Sequence, residues 1–241
     1  LNTMGEMASG FAHELNQPLS AIVNYAQGCV RRIKKGTGKT VEILAAMEQV
    51  SVQAGRAGEI IARIRSFVRK EKPERNSVDV ASLIRDVTEL LGAEFRRSGV
   101  TVTLTLNGPL SFVMADAIQI EQVVLNLVRN AIEAMVEGGS KQRRLDIKIS
   151  EEDSETVSVA VEDTGPGIPE KTLGHAFDPF VTTKQGGLGL GLSISQSIIE
   201  GHGGHLFIER STESGTVFKF SLPVAPQADA LNQKEEYLER A

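Results

Sequence analysis

A histidine followed directly by an acid is the first candidate for chemistry. His13 precedes Glu14 within the stretch FAHELNQPL, which spans Phe11–Leu19. A neutral imidazole offers a nitrogen lone pair near pH 7, and an adjacent carboxylate can accept its proton or orient the ring. The stretch therefore predicts a nucleophilic histidine. An exposed histidine on the surface of a helical bundle explains the same residues equally well.

Two asparagines lie further along the chain, four residues apart. Asn126 and Asn130 fall on one face of a predicted helix, and the residues around them are strongly apolar. Amides in such surroundings need hydrogen-bonding partners, and a hydrated magnesium ion held by a side-chain oxygen is one candidate. Two solvated amides are the simpler alternative.

Two glycine-rich stretches follow, with a basic residue between them. The first, DTGPGI, begins at Asp163, whose carboxylate could accept a hydrogen bond from an exocyclic amine such as that of adenine. The second, GGLGLGL, spans residues 186–192 and opens a predicted helix, where backbone N–H groups can hold phosphate oxygens. Lys184 lies between them and could meet a phosphate. Either glycine stretch alone is a weak signal, because glycine turns are common. The whole glycine-rich connection of about 30 residues is too long for an idle loop in a compact domain and predicts a lid.

Helices must position the histidine. Apolar residues alternate at spacings of four and three from Met4 to Cys29 and again from Ile43 to Val68. This pattern predicts two helices joined by a turn at Lys35–Lys39. A hairpin with one apolar stripe on each helix is stabilised by pairing with a second hairpin. The segment therefore predicts a homodimeric four-helix bundle.

A mixed helix-and-sheet domain must position the asparagines and glycines. One helix is expected through Phe95, a second over about Ala117–Val136 and a third from Leu192 to about Glu200. Strands are expected at 77–80, 100–106, 110–114, 145–149, 157–161, 205–209 and 216–222. The predicted divisions are a helical hairpin over 1–70, a linker over 71–76, an α+β sandwich over 77–224 and a polar tail over 225–241.

Composition excludes several classes of function. The 241 residues carry a net charge of −5 and no basic stripe with interleaved aromatics, so nothing favours nucleic acid as a partner. No run approaches about 18 apolar residues, so no membrane segment is expected. The single cysteine, Cys29, fits a reducing compartment, and a cytoplasmic location is expected. The helical pattern already runs at Leu1, which predicts a fragment of a longer protein.

The ordered motifs resemble those of bacterial two-component sensor histidine kinases. HELNQP, the asparagine pair, DTGPGI, FDPFVTTK and GGLGLGL occur in the family's order, and the resemblance covers residues 1 to about 223. It implies a dimeric hairpin bearing the phospho-accepting histidine, followed by a Bergerat or GHKL-type ATP-binding sandwich. It also implies ATP and Mg²⁺ as cofactors, a homodimer, and the receiver domain of a response regulator as partner. The sensor domain would lie outside this fragment, and membrane anchoring of the full-length protein stays open.

Carried over by position, the resemblance assigns a role to each candidate residue. His13 would be the nucleophile toward the γ-phosphate of ATP, and Glu14 its general base. Asn130 would be the Mg²⁺ ligand, one turn after Asn126, and Asp163 would bind the adenine amine. The nucleotide-binding residues would be Asn126, Asn130, Asp163, Gly165, Gly167, Lys184, Gly187, Gly189, Gly191 and Thr216.

One position departs from the family's pattern. Many relatives with phosphatase activity carry Thr or Asn where this chain has Gln17, so phosphatase action on the regulator stays open.

The resemblance predicts autophosphorylation of His13 and transfer to an aspartate of a response regulator. The alternatives are a GHKL-type ATPase that drives a conformational change and a scaffold with a vestigial ATP site. His202, which precedes two glycines, is expected to be structural.

Overall fold

The computed structural model describes residues 2–37, 39–68, 74–184 and 189–226, with side chains for all of these except 2–14, 56, 59, 60 and 62–68. The chain divides into two compact units. One consists of Leu1–Lys70 and Thr182–Leu190, and the other of Glu71–Val181 and Gly191–Ala241. Among the described residues, no helix is both long and apolar enough to cross a membrane.

The first unit contains a helical hairpin. Helix α1 spans Asn2–Lys34 and continues through Pro18, and helix α2 spans Thr40–Val68. The glycine-containing turn lies between them, as predicted. Arg32 and Glu42 pair across this turn at 2.6 Å. The last turn of α1 carries basic side chains, whose positive charges interact favourably with the negative end of the helix dipole.

Apolar residues of the predicted seam lie at the surface of the hairpin. Met47 is 47% exposed and Ile61 is 53% exposed, whereas Cys29 and Ala57 are buried between the helices. A single hairpin thus covers only part of its apolar stripe. Burial of the remainder in a bundle would stabilise the assembly by about 25 cal/mol for each Å² covered.

The second unit is an α+β sandwich. Its helices are α3 (Val80–Leu90), α4 (Gly92–Ser98), α5 (Ala117–Glu137), α6 (Glu170–Leu173) and α7 (Gly191–Gly201). Its strands are β1 (Asn76–Val78), β2 (Thr101–Asn107), β3 (Val113–Ala115), β4 (Arg144–Asp153), β5 (Thr156–Asp163), β6 (Leu206–Thr212) and β7 (Gly215–Pro223).

The main sheet has the strand order β2-β4-β5-β7-β6. β2 runs parallel to β4, and the other neighbours are antiparallel. Strands β1 and β3 form a separate antiparallel pair. Residues alternate along β4: Leu145, Ile147 and Ile149 are fully buried, while the intervening Asp146 and Lys148 are not. One face of the sheet therefore packs on the helices, and the other carries charged side chains.

The core lies between that sheet face and helices α3, α5 and α7. Helix α5 contributes most to it, because apolar residues recur along it at three- and four-residue spacings. The N-caps Asp79 of α3 and Asp116 of α5 each accept two backbone N–H groups, which fixes where these helices begin.

The structure corrects several sequence-based element predictions. The single helix predicted through Phe95 is two helices, because Leu91 ends α3 and α4 then continues to Ser98. The strand expected at 110–114 lies at Val113–Ala115. Helix α6 was not predicted, since four residues are too few to show an apolar period. Strands β4 and β5 are longer than predicted. Their ends are polar, so the apolar pattern did not include them.

Candidate functional site

A buried carboxylate lies at the end of β5. Asp163 is only 5% exposed, and the backbone N–H of Gly165 donates to its Oδ1 at 2.7 Å. Burial raises the pKa of the Asp163 carboxyl above its ordinary value of 3.8, and backbone hydrogen bonds from Gly165 and Thr216 lower that pKa in part. A carboxylate in such a place gains from a further hydrogen-bond donor. An exocyclic amine of a ligand can supply one.

The β7 strand approaches this carboxylate closely. A Cβ at Gly215 would lie 2.0 Å from the main-chain oxygen of Asp163, so only glycine fits there. This contact brings Thr216, which is buried, alongside Asp163. Ser211 bridges the same corner: it accepts from the N–H of Ile168 at 2.8 Å, and its hydroxyl lies 3.3 Å from that of Thr216.

Thr164 anchors the loop that follows Asp163. Its hydroxyl donates to the carbonyl of Gln142 at 2.7 Å and accepts from the N–H of Arg144 at 2.9 Å. The hydroxyl of Ser140 donates to the carbonyl of Thr164 at 3.0 Å. These bonds hold the DTGPGI loop, including Gly167 (φ 76°), against the start of β4 and the end of α5.

The two asparagines lie on α5, and the first of them contacts α7. The amide nitrogen of Asn126 donates to the hydroxyl of Ser195 at 3.0 Å. A Cβ at Gly191 would lie 2.4 Å from the Oδ1 of Asn126, so the N-terminus of α7 rests directly on this amide. Asn126 therefore joins two helices, a role that its prediction as a nucleotide-binding residue did not include. Asn130 is half-buried one turn further along.

One stripe of α5 connects the buried carboxylate to the start of α7. Ala134 lies beside Gly165: its Cβ would be 3.3 Å from a Cβ there. Asn126, Asn130 and Ala134 follow one another at four-residue intervals, and four residues advance a helix by about 6 Å. Asn130 thus lies midway along a stripe of about 12 Å. One end of the stripe meets the Asp163 loop, and the other meets the N-terminus of α7.

The chemistry of the donors suits hydrated magnesium near Asn130. Among the side chains that the structure describes, no cluster of three or more His, Cys, Asp or Glu residues could hold a metal ion. Mg²⁺ does not require such a cluster, because it usually keeps several waters and is bound by one or two protein oxygens together with substrate phosphates. A half-buried amide oxygen fits that role.

The remaining predicted site residues belong to the other compact unit or lie outside the described residues. Lys184 and Gly189 lie in Thr182–Leu190, which groups with the hairpin. Gly187 is outside the described residues, as are the side chains of His13 and Glu14, whose backbones belong to α1. Gln17 is exposed one turn after His13. The roles of these residues stay predictions.

The FDPF stretch begins on the core of the second unit. The ring of Phe177 meets that of Phe218 edge to face, with centroids 6.5 Å apart and planes at 88°. Such pairs contribute about 0.5–1.5 kcal/mol beyond the area they bury. His175 and Asp178 form an exposed pair at 2.7 Å in the same turn. Phe177 therefore anchors this turn on the core of the second unit.

Two family models match the chain. The one described as the phospho-acceptor domain His Kinase A matches residues 3–73. The one described as the histidine kinase-, DNA gyrase B- and HSP90-like ATPase matches residues 115–226.

Characterised relatives extend over nearly the whole chain. The sensor protein FixL of Bradyrhizobium diazoefficiens is 41% identical over 94% of this chain, and sporulation kinase A of Bacillus subtilis is 34% identical over 92% of it. The chain spans less than half of these relatives, 45% and 35% of their lengths.

Solved structures of histidine kinases also match this chain. The catalytic domain of the histidine kinase ThkA is 37% identical, with a TM-score of 0.56, over 63% of this chain and 96% of that domain. The complex of ThkA with the response regulator protein TrrA matches with a TM-score of 0.72 and 29% identity, over 94% of this chain and 64% of that one.

Proposed function

Since this chain belongs to the sensor histidine kinases, we propose that it transfers the γ-phosphoryl group of ATP to His13 and then to an aspartate of a response regulator. Residues 1–70 act as the dimerisation and phosphotransfer hairpin, and residues 77–224 act as the catalytic domain. A cytoplasmic location, where ATP and a reduced Cys29 coexist, is part of the proposal.

The stripe of α5 is the observation that supports this proposal best. It sets a buried carboxylate, a half-buried amide and a helix N-terminus in a row about 12 Å long. Asp163 accepts a hydrogen bond from the exocyclic amine of adenine, and Asn130 faces the phosphates. The backbone N–H groups at the start of α7 favour negative charge, because the helix dipole is positive there. The order of these groups matches the order of base and phosphates in ATP.

The transfer itself needs positioning and charge stabilisation more than covalent chemistry by the catalytic domain. A ring nitrogen of His13 attacks the γ-phosphorus, the bond from that phosphorus to the β–γ bridging oxygen breaks, and ADP leaves. The proton displaced from the imidazole passes to the Glu14 carboxylate. Bound Mg²⁺ would neutralise charge on the phosphate oxygens, and Asn130 would hold it.

Asn130→Ala tests the assignment of the metal ligand. We expect ATP affinity in the presence of magnesium to fall about 10- to 100-fold, since one oxygen ligand and the hydrogen bonds to the ion's waters are lost. Affinity measured in a chelator should change little. Calorimetric titration of ATP with and without Mg²⁺ measures both quantities.

Asn107→Ala is the matched control, because Asn107 is exposed at the end of β2. It should titrate like the wild type under both conditions. An Asn130→Ala protein with wild-type affinity in magnesium would remove Asn130 from the site.

A second copy of the chain is the partner that the hairpin needs. Ile61 is half exposed in one chain, so Ile61→Glu costs little there. In a four-helix bundle the same substitution would bury an unpaired carboxylate, which costs several kcal/mol. We therefore expect the wild type to be dimeric at micromolar concentration by light scattering, and Ile61→Glu to be largely monomeric.

Val41→Glu provides the comparison for the dimer test. Val41 is 77% exposed at the start of α2 and lies off the predicted seam. This variant should stay dimeric. A monomeric wild type, or an Ile61→Glu protein that remains dimeric, would contradict the bundle.

A further inference from the structure

His202 is a fully buried histidine whose two ring nitrogens are both engaged. It is 0% exposed and directly follows α7. Its Nε2 lies 3.0 Å from the backbone nitrogen of Asp116, and its Nδ1 lies 2.7 Å from the carbonyl oxygen of Ile198. The N–H of Asp116 can only donate, so Nε2 accepts. Nδ1 therefore carries the hydrogen and donates to Ile198.

The ring joins the end of one helix to the beginning of another. Ile198 lies in the last turn of α7, and Asp116 is the N-cap of α5. The side chain of Asp116 is itself occupied by the N–H groups of Ile118 and Gln119. Its backbone N–H donates to His202.

The turn that carries His202 is also held against the sheet. A Cβ at Gly204 would lie 1.8 Å from the carbonyl oxygen of Ser221 in β7, so the backbone after His202 cannot shift toward the strand. Arg75 also donates to the carbonyl of Gly201 in this turn. His202 thus projects from a fixed point toward α5.

The opposite end of α7 is fixed on the same helix. Ser195 accepts from the Asn126 amide, and Gly191 packs directly on that amide. Contacts at both ends therefore set the position of α7 along α5. Neither helix can slide without breaking the bond from Asp116 to His202.

We propose that His202 is a positioning residue for phosphoryl transfer, because its ring fixes α7 on α5 and so sets the phosphate-binding N-terminus of α7 relative to Asn130. This inference rests on the proposed function. His202 lies at the far end of α7 from Gly191 and acts through the helices. The expected effect of its loss is a misplaced phosphate and metal site, and misplacement of reacting groups lowers the rate of transfer.

Two conservative variants separate the two bonds of the ring. His202→Gln places an acceptor oxygen near the position of Nε2 and can keep the bond from Asp116. His202→Asn places a donor nitrogen near the position of Nδ1 and can keep only the bond within α7. If the bond between helices matters, His202→Asn should raise the Mg²⁺ concentration for half-maximal ATP binding about ten-fold and slow labelling of the chain by γ-labelled ATP to a similar degree. His202→Gln should stay within about three-fold of the wild type.

Ile149→Val and Ile149→Ala in β4 control for lost stability. Ile149 is fully buried and pairs with Val159 of β5. It lies four residues along β4 from Leu145, which is the residue that pairs with Asp163. These variants should lower the melting temperature to bracket that of His202→Asn without changing the Mg²⁺ dependence. If they change it as much as His202→Asn does, the histidine is only a core residue and the inference is overturned.

The remaining outcomes also decide. Ser195→Ala, which removes the other contact, should shift the Mg²⁺ dependence in the same direction. Ser195→Ala gives the Mg²⁺ dependence of ATP binding even if His202→Asn fails to fold. A wild-type Mg²⁺ dependence in Ser195→Ala would contradict the claim that contacts between α5 and α7 place the phosphate site. A wild-type chain that binds ATP without Mg²⁺ dependence would overturn the proposed function as well. A Mg²⁺-dependent wild type with His202→Gln no better than His202→Asn would overturn the inference alone.

Discussion

Asp163→Asn is expected to lower the affinity for ATP about 10- to 100-fold while the protein stays folded. The carboxylate is buried, so the hydrogen bond it accepts from adenine is charge-assisted and has little competition from water. Losing a bond of this kind costs about 1.5–3 kcal/mol, which corresponds to about 10- to 100-fold in affinity. Asparagine has the same shape, and its oxygen can still accept from the N–H of Gly165.

Base selectivity gives this prediction a second readout. Guanine carries a carbonyl where adenine carries its amine, so the carboxylate of Asp163 repels GTP. The preference for ATP over GTP should therefore narrow in Asp163→Asn. Asp86→Asn, an exposed site on α3, should keep the wild-type preference. A wild-type ratio in Asp163→Asn would show that this residue does not contact the base.

The same variant should be at least as stable as the wild type without nucleotide. The unfolded carboxyl ionises near 3.8, and burial places the folded value above that. In the interval between the two values the folded state holds a proton that the unfolded state has lost, so wild-type stability falls as the pH rises. Asparagine does not titrate at this position. The unfolding free energy of Asp163→Asn minus that of the wild type should therefore increase from about pH 4 upward and then become constant.

Urea unfolding of both proteins over this pH range measures the difference. Contributions from other titrating groups are the same in both proteins and cancel when the two unfolding free energies are subtracted. A difference that does not depend on pH would mean that the Asp163 carboxyl is not buried as described.

His13→Ala is expected to bind ATP within about two-fold of the wild type yet lose labelling entirely and lose most phosphate release. In hydrolytic relatives of the fold, a glutamate four residues before the metal-binding asparagine activates water. Here that residue is Asn126, whose neutral amide cannot take a proton and whose nitrogen already donates to Ser195. The γ-phosphate should therefore leave ATP chiefly by way of His13.

His205→Ala is the matched control, since His205 is exposed just before β6 in the second unit. It should label and turn over like the wild type. Sustained hydrolysis by His13→Ala at the wild-type rate would favour the ATPase alternative.

Local patterns predicted much of this fold. The apolar period of α5, the alternation along β4 and the acid at the end of β5 are all readable from the chain, and the predicted family and fold class are confirmed by the comparisons. Asp163 could be singled out because an acid at the end of a predicted strand is followed by two glycines and stands in order with the other motifs.

Contacts between distant segments could not be predicted in the same way. Ser195 lies 69 residues from Asn126, and His202 lies 86 residues from Asp116. These hydrogen bonds form only because α7 packs on α5. Nothing in their neighbours along the chain indicates the partner. For the same reason the sequence assigned Asn126 to the nucleotide and did not reveal its contact with α7.

The break between α3 and α4 escaped prediction for a different reason. Val87, Leu91 and Phe95 are all buried and continue one helical period, so the pattern indicates a single helix. Helix α3 nevertheless ends at Leu91 (φ −83°, ψ 0°), and Gly92 begins the next helix. Glycine has a low helix propensity, which permits a break that periodicity does not reveal.

The most direct test is to incubate the chain with γ-labelled ATP and magnesium and to examine the bond that holds the label. We expect a label that is lost in acid and kept in alkali, as a phosphoramidate is, and that is found on the peptide containing His13. An acid-stable label, or unlabelled protein that still releases phosphate, would contradict it.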